Sequence, residues 1–163
     1  MKLTKHILLG SVIGIILYPI YKLQIIWFVA ASVLIDVDHY GAFLIKNRFV
    51  NYNIKTMFRY YDTLIKWKSR KELLGINMFH TFEFMLVLGI FAYYFNSLII
   101  NMVWMGFLFH NICDFIYLYR LGIPDKRSYY YLEYFRRKNI FLKQGIDINN
   151  LHQEAIKFVE TEH

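Results

Sequence analysis

Residues 84–113 contain no Asp, Glu, Lys or Arg, and this uncharged stretch limits the fold more than anything else in the chain. A helix needs about 20 apolar residues to cross the hydrocarbon core of a bilayer, so the run is too long for one span and too short for two complete ones. It reads as most of a helical hairpin that turns near Asn96-Ser97, with charged ends supplied by Glu83 and Asp114. Two other apolar runs, 7–21 and 23–35, are each short of a span. Together they form a second hairpin, broken near Pro19-Lys22, whose helix ends reach Thr4 and Asp38. A hydrophobic content of 57% and an aromatic content of 20% over 163 residues exceed what a soluble core of this size requires. The expected fold is all-α, a four-helix transmembrane bundle with amphipathic interfacial helices; a soluble bundle of thick buried helices is the alternative.

Charge placement gives the orientation. Residues 40–79 carry eight basic side chains (Lys46, Arg48, Lys55, Arg59, Lys66, Lys68, Arg70 and Lys71) against Asp62 and Glu72, and residues 120–143 carry seven more against Asp125 and Glu133. The two hairpin tips hold only Lys22. By the positive-inside rule both termini and the middle loop are cytoplasmic in a multi-pass protein of a bacterial-type inner membrane. The net charge of +7 then reflects topology and attraction to anionic lipid headgroups. Nucleic-acid binding is not expected, because the basic residues are divided between loops and form no recognition motif.

Lys2 and Lys5 precede an apolar run as in a signal peptide, but the bulky Tyr18-Pro19-Ile20-Tyr21 offers no small-residue cleavage site, so the segment is expected to stay attached. The single cysteine, Cys113, excludes an internal disulfide and a Cys-rich zinc site, and reads as a small apolar helix residue. Residues 1–122 are expected to form a membrane domain that includes the cytoplasmic loop 40–79, with 123–163 as a basic, amphipathic cytoplasmic tail. Aromatics mixed with Lys and Arg over 42–74 and 129–138 suit helices lying at headgroup depth. In the tail, Leu151, Ala155, Phe158 and Val159 recur at helical spacing.

Against this frame the polar residues at the helix ends stand out. His6 opens the first span, Asp36-Val37-Asp38-His39 closes the second, His80 opens the third, and His110 with Asp114 lies toward the close of the fourth. Ionisable groups beside hydrocarbon cost roughly 2.5–3.5 kcal/mol each on insertion scales, and here they all fall on the cytoplasmic side, where four helices of one bundle bring their ends into one layer. His110 and Asp114, four apart, share a helix face, and His80 with Glu83 gives an i, i+3 pair like those of carboxylate-bridged metal sites. Asp36 and Asp38 can serve one centre if the chain bends out of helix after Ile35. This donor set favours zinc, manganese or iron over calcium, as one or two ions. Each residue also has a plain alternative: a hydrogen-bonded core histidine, a helix cap, or, for Glu83, a first-turn acid at the helix dipole.

The runs Thr4-Lys5-His6-Ile7-Leu8-Leu9-Gly10, Leu34-Ile35-Asp36-Val37-Asp38-His39, Phe79-His80-Thr81 and Gly106-Phe107-Leu108-Phe109-His110-Asn111-Ile112-Cys113-Asp114 together resemble the YdjM-like membrane-bound metal-dependent hydrolases over residues 4–118. That family shares an early His, an Asp-x-Asp-His motif, a His opening a later helix and a His-x-x-x-Asp motif. Ile35 and Tyr40 stand where the family commonly has Pro, and Gly75-Ile76-Asn77 where it has His-Arg-Gly, so the chain reads as a divergent member in which Glu83 offsets a lost ligand.

The resemblance implies a metal-dependent hydrolase. A remote likeness to zinc-dependent phospholipase C and P1-type nucleases implies phosphoester chemistry on a lipid or lipid-linked substrate. On this expectation His6, Asp36, His39, His80, His110 and Asp114 bind metal, Asp38 bridges or acts as general base, and Arg120, Lys71 and Arg70 hold an anionic headgroup. The competing classes are a ceramidase-like amide hydrolase, which needs a groove for a lipid tail more than a cationic clamp, and a non-catalytic membrane protein with a structural metal or none.

Overall fold

The structure is a computed structural model that describes residues 3–161; Lys2 and His163 lie outside them. Among the described residues it is all-α. The helices are α1 Leu3–Tyr21, α2 Ile25–Leu34, α3 Val37–Lys46, α4 Ile54–Lys66, α5 Phe82–Phe95, α6 Leu98–Arg120, α7 Tyr131–Lys143 and α8 Ile148–Thr161. Short 3-10 turns occupy Lys22–Gln24, Met78–His80 and Pro124–Lys126. The chain divides into two compact units, one running to Asp36 and resuming over Met78–Leu121, the other made of Val37–Asn77 and the chain from Gly122 onward. The middle segment, grouped by sequence with the membrane domain, thus clusters with the tail.

The first unit holds α1, α2, α5 and α6. Both expected hairpins are present. The first breaks where Lys22 takes a positive φ of 51°, and the second where Asn96 ends α5 in the left-handed conformation, which Asn adopts at lower cost than most residues. Thr81 starts α5: its hydroxyl oxygen accepts from the Phe84 N–H at 3.3 Å while the hydroxyl donates to the Met78 carbonyl. Across the α5–α6 hairpin the Trp104 indole N–H donates to the Met85 carbonyl at 3.1 Å.

Small residues set the close packing of this unit. A Cβ at Gly106 would lie 2.4 Å from the Phe28 carbonyl oxygen and 2.9 Å from the Ala31 Cβ, and one at Gly10 would lie 2.5 Å from the Ser32 hydroxyl. Glycine therefore lets α1 and α6 reach the backbone and small side chains of α2, as small residues do between membrane helices. Along α6 the buried residues are Met102, Gly106, His110, Asp114 and Leu118, a strict i, i+4 stripe in which the contact glycine precedes the two polar residues on one face.

The exterior of the unit is apolar and its interior partly polar. Leu8, Ile15, Ile16, Ile26, Leu86, Ile90 and Ile116 are exposed, whereas His6, Ser32, His80, Thr81, His110 and Asp114 are buried. This inverts the usual soluble pattern. Two helical stretches are long and apolar enough to cross a membrane, Thr4–Lys46, which runs from α1 through α2 and α3, and Leu98–Arg120; these are length and composition criteria only. A bundle of four spans is not shown by these criteria. At 1.5 Å per residue α5, with 14 residues, is about 21 Å long and α2, with 10 residues, about 15 Å, both short of a core about 30 Å thick.

The second unit, which holds α3, α4, α7 and α8, packs α3, α4 and α8 around Phe43, Met57, Tyr60, Leu64, Leu73, Ala155 and Ile156. The apolar face of α4, expected at a lipid surface, is occupied here by protein: Met57, Tyr60 and Leu64 are buried in this core. The tail helix α8 joins the same core through Ala155 and Ile156 and carries the buried His152, whose Nδ1 lies 2.8 Å from the Tyr60 hydroxyl and whose Nε2 lies 3.0 Å from the Leu74 carbonyl. The carbonyl can only accept, so Nε2 carries the proton and Nδ1 accepts from Tyr60. Lys126 closes the end of α4, donating to the carbonyls of Leu64 and Trp67; burial lowers its pKa to about 8, with Glu72 opposing.

Candidate metal centre

The i, i+4 stripe on α6 presents His110 and Asp114 to the interior of the first unit. His6, one turn before Gly10, shares the α1 face whose glycine meets Ser32. Asp36 stands in the two-residue turn that follows α2, and His80 ends the 3-10 turn before α5. Four chain segments thus converge on five donors. Asp114 Oδ1 is 3.1 Å from His6 Nε2, and Asp114 Oδ2 is 3.8 Å from His110 Nε2 and 4.0 Å from His80 Nε2. Asp36 Oδ1 is 3.3 Å from His110 Nε2 and 3.7 Å from His80 Nε2, and the two Nε2 atoms are 3.2 Å apart. The His6 and His110 rings stack with centroids 3.9 Å apart.

These distances suit a shared cation. Two donors on a tetrahedral ion with bonds of 2.0–2.1 Å stand about 3.3–3.4 Å apart, within the range found here. One group that could hold a metal ion is His6, His110 and Asp114, all buried. The orientation of His110 is set from behind: its Nδ1 lies 2.8 Å from the Ser32 carbonyl, an acceptor only, so Nδ1–H donates and Nε2 is turned toward the carboxylates. The same residues also form a network of histidine–carboxylate pairs. Four of the five side chains are almost fully buried; Asp36, at 22% exposure, is the one that reaches solvent.

Asp38 and His39 belong to α3, in the second unit, because the bend falls at Ile35-Asp36, ahead of Asp38, and helix resumes at Val37. Within that unit the His39 ring is approached by the Asn77 amide and by Arg127, Nη2 to Nε2 at 3.5 Å, and its carbonyl accepts from the Tyr61 hydroxyl. Glu83 sits in the first turn of α5, where an acid is favoured by the helix dipole; it is in neither group of described residues spaced to hold a metal ion. Of the three basic residues expected at a headgroup, Arg70 is 3.8 Å from Glu154, Lys71 is 3.9 Å from Asp125, both as exposed pairs, and Arg120 ends α6.

Sequence reasoning missed Ser32 and Gly106. Ser32 acts through its carbonyl, which leaves no trace in residue type. Gly106 had a signal, a glycine four residues before His110 in an apolar helix.

No family model, curated protein or solved structure matches the chain.

Proposed function

We propose that the chain is a membrane-embedded, metal-dependent hydrolase acting on a phosphoester of a lipid or lipid-linked substrate, in a multi-pass protein of a bacterial-type cytoplasmic membrane with both termini inside. The observation that carries the reading is the convergence of His6, Asp36, His80, His110 and Asp114, from four segments, in the interior of a unit whose outside is apolar. Buried ionisable groups in such a setting are costly unless they are used. His6, His80 and His110 would hold one or two divalent ions through Nε2, with Asp36 and Asp114 balancing their charge; zinc suits the set, and manganese or iron fit the same donors. When bound, the ion would supply a Lewis acid and acidify water for attack.

The residues themselves divide the work. Ser32 fixes the ring of His110. Asp114, enclosed by three imidazoles, is positioned to bind rather than to meet substrate. Asp36 borders solvent and is the side from which a substrate oxygen enters, and this opening favours a catalytic over a closed structural site. The phosphoester class follows from the resemblance noted above and from the basic surface, which attracts anionic lipid.

Elemental analysis of the purified protein beside Asp36→Ala and His110→Ala is the test. Stoichiometric metal in the wild type, lost in both variants, together with turnover of phospholipids and not of N-acyl lipids, is expected. Turnover of N-acyl lipids alone would move the reading to an amide hydrolase. Stoichiometric metal without turnover of either would make the site structural. A wild type free of metal, with stability unaltered in His110→Ala, refutes the site altogether.

A further inference from the structure

Three amphipathic helices of the second unit differ in what covers their apolar sides. Those of α4 and α8 are buried in the core of the unit. Helix α7 buries none of its 13 residues. Leu132 is 80% exposed and Phe135 57%, and Tyr131 and Leu142 are exposed as well. At 100° per residue Tyr131, Leu142 and Phe135 fall within about 40° of one another and Leu132 about 60° further round, so these four form one side of the helix, with the exposed Ile140 outside it.

The charges beside that face have one sign. Arg136, Lys138 and Lys143 flank it, while the helix's only acid, Glu133, is turned to Arg137 at 3.0 Å and to the backbone N–H of Tyr129 at 3.1 Å. An apolar face with an aromatic ring, bordered by cations with free tips, is the pattern of a helix lying in a lipid interface. A second copy of the chain would set cations against cations.

We propose that α7 is a lipid-surface helix whose outer face rests on anionic headgroups, with Leu132 and Phe135 at the acyl boundary and Arg136, Lys138 and Lys143 at the phosphates. The inference rests on the membrane setting proposed above and not on the metal chemistry. Each basic residue near an anionic surface shifts partition about fivefold, so the three together favour contact about 100-fold.

The test uses the full chain in lipid nanodiscs with Cys113→Ala and a spin label at Leu132→Cys, in phosphatidylcholine alone or mixed with phosphatidylglycerol. The label is expected to be shielded from an aqueous relaxation agent and open to oxygen in the mixed lipid, and to return to water when Arg136, Lys138 and Lys143 are all changed to Glu. The metal content of the charge-reversed protein should equal that of its parent, which separates this result from the fate of the metal site. A label equally wet in both lipids, in protein that has inserted, overturns the inference alone. Shielding that follows protein concentration instead of lipid charge also overturns it, in favour of a protein partner. Failure of the chain to enter the discs overturns the membrane reading and this inference with it.

Discussion

Gly106→Ala puts a single methyl group at the tightest helix contact of the first unit, four residues from the candidate ligand His110. The added Cβ would stand 2.4 Å from the Phe28 carbonyl oxygen, 2.9 Å from the Ala31 Cβ and 3.1 Å from the Ser32 N–H nitrogen. Two of those three atoms are backbone, so no rotamer change relieves the contact. Reaching even 3.0 Å requires α2 and α6 to part by about 0.6 Å, a strain of the kind that costs about 1–3 kcal/mol. The Ser32 carbonyl moves with α2, and its 2.8 Å bond to His110 Nδ1 stretches toward the edge of hydrogen-bond distance. Loss of a group that orients a metal ligand weakens metal binding by about 10–100-fold. Metal affinity measured by competition with a chelator, alongside thermal unfolding in detergent, reads both effects. A Gly106→Ala protein with wild-type metal affinity and unfolding temperature would show that the α2–α6 approach does not position His110.

Two further outcomes test other parts of the molecule. His152 has its pKa lowered to about 3, first by burial, then by the nearby Lys46 charge, with the Leu74 carbonyl opposing. The unfolded chain binds this proton below about pH 6.5 while the fold does not, so stability should rise with pH between about 3 and 6.5 and be lost on acidification, by up to roughly 5 kcal/mol. His152→Gln should flatten that part of the stability profile, and an unchanged pH slope in denaturant unfolding would refute the assignment. A reporter active only in the cytoplasm, fused after the last residue, should be active and one inserted at Asn96-Ser97 inactive, because Lys and Arg gather away from the hairpin tips; the reverse pattern contradicts the orientation.

Much of the first unit was legible in the sequence because its signals are local. The uncharged run 84–113 placed the α5–α6 hairpin, and Asn96 could be read as its turn because Asn tolerates a left-handed backbone. The spacing of His110 and Asp114 put them on one face, since 3.6 residues per turn fixes that relation wherever the helix goes. The number of spans was less legible. Hydropathy registers apolar content, but only the backbone reveals that α2 has 10 residues and α5 14. For α4, the same amphipathic pattern serves a lipid surface or a protein core, and only packing against α8 decides between them.

The candidate site divides along the same line. Residue type and spacing nominated His6, Asp36, His80, His110 and Asp114, because imidazoles and carboxylates in apolar helices are costly enough to be conspicuous. Asp38, His39 and Glu83 were nominated by the same logic, since a motif records neighbours along the chain and a coordination site depends on distances across it. The helix restart at Val37 assigned Asp38 and His39 to the second unit, and the glycine contacts of α2 brought His110 to the Ser32 carbonyl. What this sequence determined by itself is its all-helical pattern, its apolar exterior and the chemistry of its unusual polar residues. Which of those residues meet was left to tertiary packing, because approach between helices is fixed by the volumes at their contacts, and those volumes act only once the helices touch.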